Sequence, residues 1–177
     1  MKQELVVPDL VAPGLEILFV GINPGLRSAE LGHHFAGHSN RFWKLLHGAG
    51  FTLVKFSPFE DAKLLSLGYG ITNIVSRTTA TAAELAKEEF CTGAEVLKEL
   101  IITYRPKIVA YLGKDVYRHR SLQKNFTWGV QPVELITGVI DFVAPNPSGL
   151  NRMSYEEQLG QYQKLYQLAN QVEMKVL

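Results

Sequence analysis

The sequence predicts an α/β protein, a three-layer α/β/α sandwich around a mainly parallel central sheet. Residues 16–20, "EILFV", form a short run, apolar after Glu16 and stopped by Gly21, and "PKIVAYLG", residues 106–113, repeats the pattern. Such runs fit strands buried on both faces. The segments between them carry helical periodicity with caps and glycine stops, and strands alternating with helices imply a layered sheet covered on both sides. With 177 residues, 46% of them hydrophobic, the chain is long enough for one good core, so a single domain spanning 1–177 is expected.

Taken in order, the first strand, 16–20, is followed by a loop over 22–38. "SNRFWKLLHGAG", 39–50, reads as a helix: Ser39 or Asn40 caps it, Phe42, Leu45 and Leu46 share a face, and glycines end it. Pro58 suits a first helical turn, which places a short helix at 58–67. "YGITNIV", 69–75, is the second strand. Residues 81–104 are helical in pattern, with an interruption expected near Gly93. Strand 106–113 runs into a glycine turn and then a short basic helix. "VELITGVIDFVAP", 133–145, reads as two strands joined at Thr137-Gly138. The last helix starts at Ser154, where Ser154 and Glu157 have capping-box spacing and Leu159, Tyr162, Leu165, Tyr166 and Ala169 recur at helical intervals.

Composition narrows the function. The N-terminal "MKQELVVPDLVAPG" is charged and twice broken by proline, unlike a secretory signal, and no run approaches the roughly 18 apolar residues of a membrane span. A cytoplasmic protein is expected, and Cys91, the single cysteine, reads as a reduced, semi-buried thiol. One cysteine builds neither a disulfide framework nor a thiolate-held zinc or iron–sulfur site. His33, His34 and His38 lack a nearby carboxylate to complete a ligand set, so neither metal nor cofactor is expected. A net charge of +1 argues against a broad surface for long tracts of nucleic acid, but a small footprint needs only a few clustered cations. "KDVYRHRSLQK", 114–124, offers Lys114, Arg118, Arg120 and Lys124 as phosphate contacts against one acid, Asp115; its bland alternative is a solvated helix face.

Two loops stand out. "GINPG", 21–25, and "NPSGLNR", 146–152, each directly follow a strand. In open α/β sheets ligands bind outside the carboxyl ends of the strands, so two Asn-Pro loops can converge there on one site. Taken alone, "GINPG" is a turn; the convergence favours a site.

"GINPGL", "GHHFAGHSNRFW", "ITNIVSRTT" and "APNPSGLNR", in that order, resemble the mismatch-specific uracil/thymine-DNA glycosylases of the uracil-DNA glycosylase superfamily over roughly residues 10–170. The resemblance implies that fold and a DNA glycosylase acting in base excision repair on pyrimidines mispaired with guanine in double-stranded DNA, working as a monomer, in a prokaryotic cell, without cofactor. It assigns Asn23 to positioning the water that attacks the sugar. The backbone N–H groups of Ile22 and Phe35 become donors to the base, Phe35 its stacking platform, Asn73 a reader of its edge and His34 a polar contact to base or water. Gly21 and Gly25 let the backbone approach closely, and Ser28 lies where members differ in side-chain size near the pyrimidine C5. Asn146 stands where housekeeping members carry a histidine that assists the departing base. Ser148 belongs to the loop that enters the duplex and Leu150 is its wedge; Gly149 and Asn151 offer backbone groups to the widowed guanine, and Arg152 neighbours the opposite strand.

The residues are compatible with that chemistry. An N-glycosidic bond can break through a cationic sugar and a departing base anion, so water needs orientation more than deprotonation; a neutral amide orients well and is a very poor base. No lysine nucleophile occurs in these motifs, which favours hydrolysis alone. Two other readings compete. A nucleotide-binding α/β enzyme would want G-x-x-x-x-G-K-[ST] or G-x-G-x-x-G, and neither occurs. A non-catalytic mismatch-binding module would keep the wedge and the basic cluster but would have no need of Asn23.

Overall fold

The computed structural model describes residues 6–174; the first five residues of the charged N-terminal stretch and the last three of the chain lie outside the described residues. Five strands form one sheet in the order β2-β1-β3-β5-β4, where β1 is Ile17–Gly21, β2 Tyr69–Asn73, β3 Ile108–Leu112, β4 Gly129–Val130 and β5 Ile140–Ala144. The first four positions are parallel, and β4 closes the edge antiparallel to β5.

Alternation along β1 shows how the layers are built. Ile17 and Phe19 face a core completed by Phe42, Leu45 and Leu46 of α2 (Phe42–Ala49) and by Tyr162 and Leu165 of α5 (Tyr155–Met174). Leu18 and Val20 face the other core, with Phe90, Leu97 and Ile101 of α3 (Lys87–Tyr104) and Val116 and Tyr117 of α4 (Lys114–Ser121). Every residue of β1 and of β3 is buried, which is why both read as continuous apolar runs. The capping box at Ser154 forms as expected: the Ser154 N–H donates to Glu157 Oε2 at 3.0 Å and the Glu157 N–H to Ser154 Oγ at 3.2 Å.

The structure corrects four expectations. The segment 22–38 is not all loop, because α1, Leu26–Leu31, follows Gly25 directly; at six residues it is too short to show amphipathic periodicity. Helix α3 runs unbroken through Gly93, and the helical stretch instead breaks at Leu85 and Ala86, after a 3₁₀ turn at Ala82–Glu84. Residues 133–139 are turns rather than a strand: Asp141 Oδ2 accepts the Leu135 N–H, Glu134 Oε2 the Gly138 N–H, and Ile136 O the Val139 N–H. The antiparallel partner of β5 is β4, seated by the Gln131 N–H on Asp141 O. Cys91 is exposed, because α3 turns Phe90, Ala94, Leu97 and Ile101 inward and position 91 falls a quarter-turn away from that face. The segment 58–67 is helical, but of the 3₁₀ kind, with Pro58 in its first turn.

The order β2-β1-β3 places a switch point beside β1, since the chain leaves β1 for a strand on one side and returns on the other. A crevice opens there at the carboxyl edge, where ligands bind in such sheets.

Candidate active site

That crevice is a cleft of about 530 Å³ floored by residues 21–25 after β1, Asn73 at the end of β2, Gly113 and Lys114 after β3, and Asn146 after β5. The two Asn-Pro loops do converge. Of the residues singled out in the sequence, the cleft lining includes Ile22, Asn23, Gly25, Ser28, His34, Phe35, Asn73, Lys114, Asn146, Ser148, Leu150 and Asn151.

Asn23 is held by the chain more than fifty residues away. Its Nδ2 donates to Arg77 O at 2.8 Å and to Thr79 Oγ1 at 2.7 Å, with a longer contact of 3.4 Å to Pro24 O. Thr79 Oγ1 itself donates to Thr81 O at 2.8 Å, so toward Asn23 it acts as acceptor. A carbonyl only accepts, so the NH₂ end is the one that must face Arg77 and Thr79. Among the described residues Oδ1 has no hydrogen-bond partner, and Asn23 lines the cleft. The strand-like pairing of Gly25 with Thr79 and the Thr79 N–H on Pro24 O at 3.2 Å tie the two segments together. Arg77 is fixed in turn by Glu89 of α3, at 2.7 and 3.0 Å, and that pair holds the Glu89 carboxyl down to about 2.

Phe35 has φ 51°, a left-handed conformation that costs a residue with a Cβ about 1–3 kcal/mol. Its neighbours impose it. The His34 N–H donates to Asp61 Oδ2 at 2.9 Å and the Ala36 N–H to Ser28 Oγ at 3.0 Å, clamping the turn from both sides. The Phe35 ring lies on Phe42, centroids 4.0 Å apart and planes 26° from parallel, so its orientation is fixed by the core while the ring still lines the cleft. Among the described residues neither the Phe35 nor the Ile22 N–H has a backbone partner. Ser28, buried on α1, is committed to that clamp and presents a small side chain to the cleft.

The asparagines at the strand ends differ in how they are held. No hydrogen bond occupies the Asn73 amide among the described residues, and it lies across Gly21: a Cβ there would stand 2.6 Å from Asn73 Oδ1. Gly21 is glycine for that approach, whereas a Cβ on Gly25 would meet nothing and project into open space. Asn146 turns Oδ1 to the Ser148 N–H at 2.8 Å, and among the described residues its Nδ2, beside Gly113, has no acceptor.

The histidines divide. His34 is buried, and its Nε2 donates to Pro8 O at 2.8 Å, so the neutral ring offers Nδ1 as an acceptor. Burial is the main cause pulling the His34 pKa below the ordinary histidine value, against the Pro8 carbonyl and the charges of Asp61 and Asp9. Burial likewise raises Asp9, against the hydrogen bond from Thr72 and the proximity of His34. His33 pairs with Asp61 at 3.0 Å, so a carboxylate does stand beside the histidines, supplied from the 3₁₀ helix nearly thirty residues on. Among the described residues no three His, Cys, Asp or Glu side chains group as a metal ion would require.

Residues 146–152 project a leucine. Leu150 is 84% exposed. Its loop is rigid at the base: the Arg41 N–H donates to Pro147 O at 2.9 Å, Asn151 Nδ2 to Asn146 O at 2.8 Å, and Gly149 is packed where a Cβ would stand 2.3 Å from Ser39 Oγ. Asn151 spends both its N–H, on Ser148 O, and its side chain on the loop itself. Arg152 is exposed. The basic helix is split: Lys114 lines the cleft, Arg118 pairs with Asp115 and Lys124 is exposed, while Arg120 has a buried Nε without a hydrogen-bond partner and interacts electrostatically with Asp141.

Residues 8–170 match the model of the uracil DNA glycosylase superfamily. The chain belongs to that superfamily. Membership implies a DNA glycosylase, a hydrolase of N-glycosidic bonds acting on DNA, with uracil DNA glycosylase activity. The fold is similar to the solution NMR structure of a proposed uracil DNA glycosylase from Methanosarcina acetivorans, with a TM-score of 0.64 and 19% identity over 94% of this chain and 98% of that one. Arg77, Thr79, Asp61 and Trp128, which line the cleft or hold residues that line it, were not singled out from sequence. Thr79 falls inside "ITNIVSRTT", so the segment carried a signal although the residue did not; Asp61 carried none.

Proposed function

We propose that this protein is a monofunctional glycosylase that excises uracil, and related C5- or ring-modified pyrimidines, opposite guanine in double-stranded DNA. The observation that carries the reading is the Asn23 amide, locked by Arg77 O and Thr79 Oγ1 so that an unpartnered Oδ1 faces the cleft. An acceptor held in that way orients water without deprotonating it.

The extruded base enters the cleft and stacks on Phe35, with Asn73 on its edge and Ser28 near C5. The glycosidic bond breaks with its electron pair leaving on the base. Negative charge gathering on the base carbonyls meets the N–H groups of Ile22 and Phe35 and Asn146 Nδ2, donors already in place, where each such donor is worth about 10²–10³ in rate. The water held by Asn23 adds to the anomeric carbon of the sugar cation and gives its proton to solvent. His34, kept neutral, adds an acceptor and no charge that would compete for the base.

Asn146 is a neutral donor, so stabilisation of the leaving base is weaker than a cation would give, and access to the base becomes correspondingly important. Leu150 fills the vacated stack, and Gly149 and Arg152 face the opposite strand.

The test is single-turnover cleavage of labelled duplexes carrying one altered base opposite each normal base, followed by alkali, with wild type and Asn23→Ala. Abasic sites from U·G with wild type, and a loss of about 10²-fold or more in Asn23→Ala with DNA affinity kept, are expected. A variant within a few-fold of wild type removes Asn23 from the mechanism.

A further inference from the structure

Next to the cleft lies a second cavity of about 520 Å³, within the roughly 300–1,000 Å³ range of ligand sites. Its lining includes Lys114, Arg118, Lys124, Asn125 and Phe126. Lys114 lines both cavities, and Trp128 belongs to the wall of the first, so the two adjoin at Lys114.

The chemistry of the passage is cations over aromatic rings. Lys114 Nζ stands 4.7 Å from the Trp128 centroid and Arg118 Cζ 5.6 Å from that of Phe126. Phe126 is held edge-on by buried Tyr117 at 4.9 Å, which fixes its plane. Among the described residues neither Lys114 nor Lys124 has a carboxylate within ion-pair reach, and the one acid here, Asp115, is taken up by Arg118. Free cations tracking a backbone beside fixed aromatic planes is how single-stranded nucleic acid is held, since every base has a face that stacks.

We infer that this groove seats a nucleotide of the target strand next to the extruded one, its phosphate on Lys114 and Lys124 and its base on Phe126 and Trp128. The inference rests on the glycosylase reading, which supplies an extruded nucleotide in the first cavity. Leu150 is smaller than the base it replaces, so the flanking base recovers only part of its lost stacking, and an aromatic wall one cavity away offers more.

The experiment measures binding, not cleavage. Fluorescence anisotropy gives Kd for duplexes with 2′-fluoro-deoxyuridine opposite guanine, in which the nucleotide 5′ or 3′ to the target keeps its phosphate but loses its base as a tetrahydrofuran. Removing the base on one side should raise the wild-type Kd about tenfold, with little effect on the other side. Phe126→Leu, which keeps apolar packing against Tyr117, should bind the intact duplex more weakly and no longer distinguish it from the base-less one. Kd within twofold whichever base is removed overturns the seat, even if Lys124→Ala weakens binding, because that leaves a phosphate contact alone. Equal sensitivity of wild type and Phe126→Leu overturns it as well. The glycosylase reading fails differently, by absence of abasic product from a cleavable U·G duplex.

Discussion

At the scale of single residues, the decisive feature is which end of one amide faces the cleft. Thr79 decides it together with Arg77 O, since an acceptor on that side forces NH₂ toward it. Thr79→Val keeps shape and removes the acceptor, so one Nδ2 hydrogen loses its partner and the amide can rotate; about tenfold loss in the single-turnover rate is expected, in line with an unpaired buried donor. Thr79→Ser retains the oxygen and should stay near wild type, and neither change should alter duplex Kd. Equal losses in both variants would mean that Thr79 matters for packing alone. Asn23 itself was legible in the sequence as an amide at a strand end. Its partners were not: Arg77 and Thr79 fall inside the motif "ITNIVSRTT", but nothing local tells that they reach back 54 and 56 positions to Asn23. The same holds for Asp61, which reaches His33 and His34 from 28 and 27 positions downstream.

Among elements, the buried strands and the long helices announced themselves, because β1 and β3 are buried at every position and α5 repeats its apolar face over several turns. What failed were elements defined by one contact each. Strand β4 has two residues, and the 133–139 turns are set by side chains of Glu134 and Asp141 that no periodicity predicts. Gly93 is the instructive misreading: a helix-breaking residue by propensity, it sits in mid-helix because α3 crosses the end of β2 so closely that a Cβ would stand 1.8 Å from Ile74 O. Gly93→Ala must therefore push α3 off the strand that ends in Asn73. A loss of about 3 kcal/mol or more is expected, lowering Tm by roughly 10 °C for a chain of this size. Gly160→Ala in α5 is the control, since a Cβ there meets nothing within 4 Å and alanine favours helix by about 0.5–1 kcal/mol. Thermal unfolding of both variants checks this, and a Gly93→Ala protein as stable as wild type would contradict the close crossing.

For the whole molecule, the question is how a chain of net charge +1 works on DNA. A net charge near zero puts little free energy into holding the duplex, while extruding a base costs a few kcal/mol, least from a mismatch. In the proposed route the donors to the base, Ile22 N–H, Phe35 N–H and Asn146 Nδ2, are all neutral, so the rate should follow the ease of extrusion. His33 and Asp61 are engaged with each other, and no step in the proposed route needs a Lewis acid, so activity should survive prolonged EDTA treatment; restoration of a chelated enzyme by one metal would overturn that. U·G should be cut faster than U·A, because the wobble pair opens more cheaply. Leu150 is 84% exposed on a loop pinned by Arg41 and Ser39, so it can enter the stack without the loop having to order first. Filling the gap with apolar surface returns part of the extrusion cost, as intercalating side chains do. Leu150→Ala should therefore slow U·G, with a smaller effect on single-stranded uracil, where there is no stack to fill. Arg152→Ala should weaken duplex binding and flatten its salt dependence if the side chain meets phosphate. Single-turnover rates for wild type and Leu150→Ala on U·G, U·A and single strands decide the matter: equal wild-type rates on all three, unchanged in the variant, would remove the wedge and the dependence on the opposite guanine together.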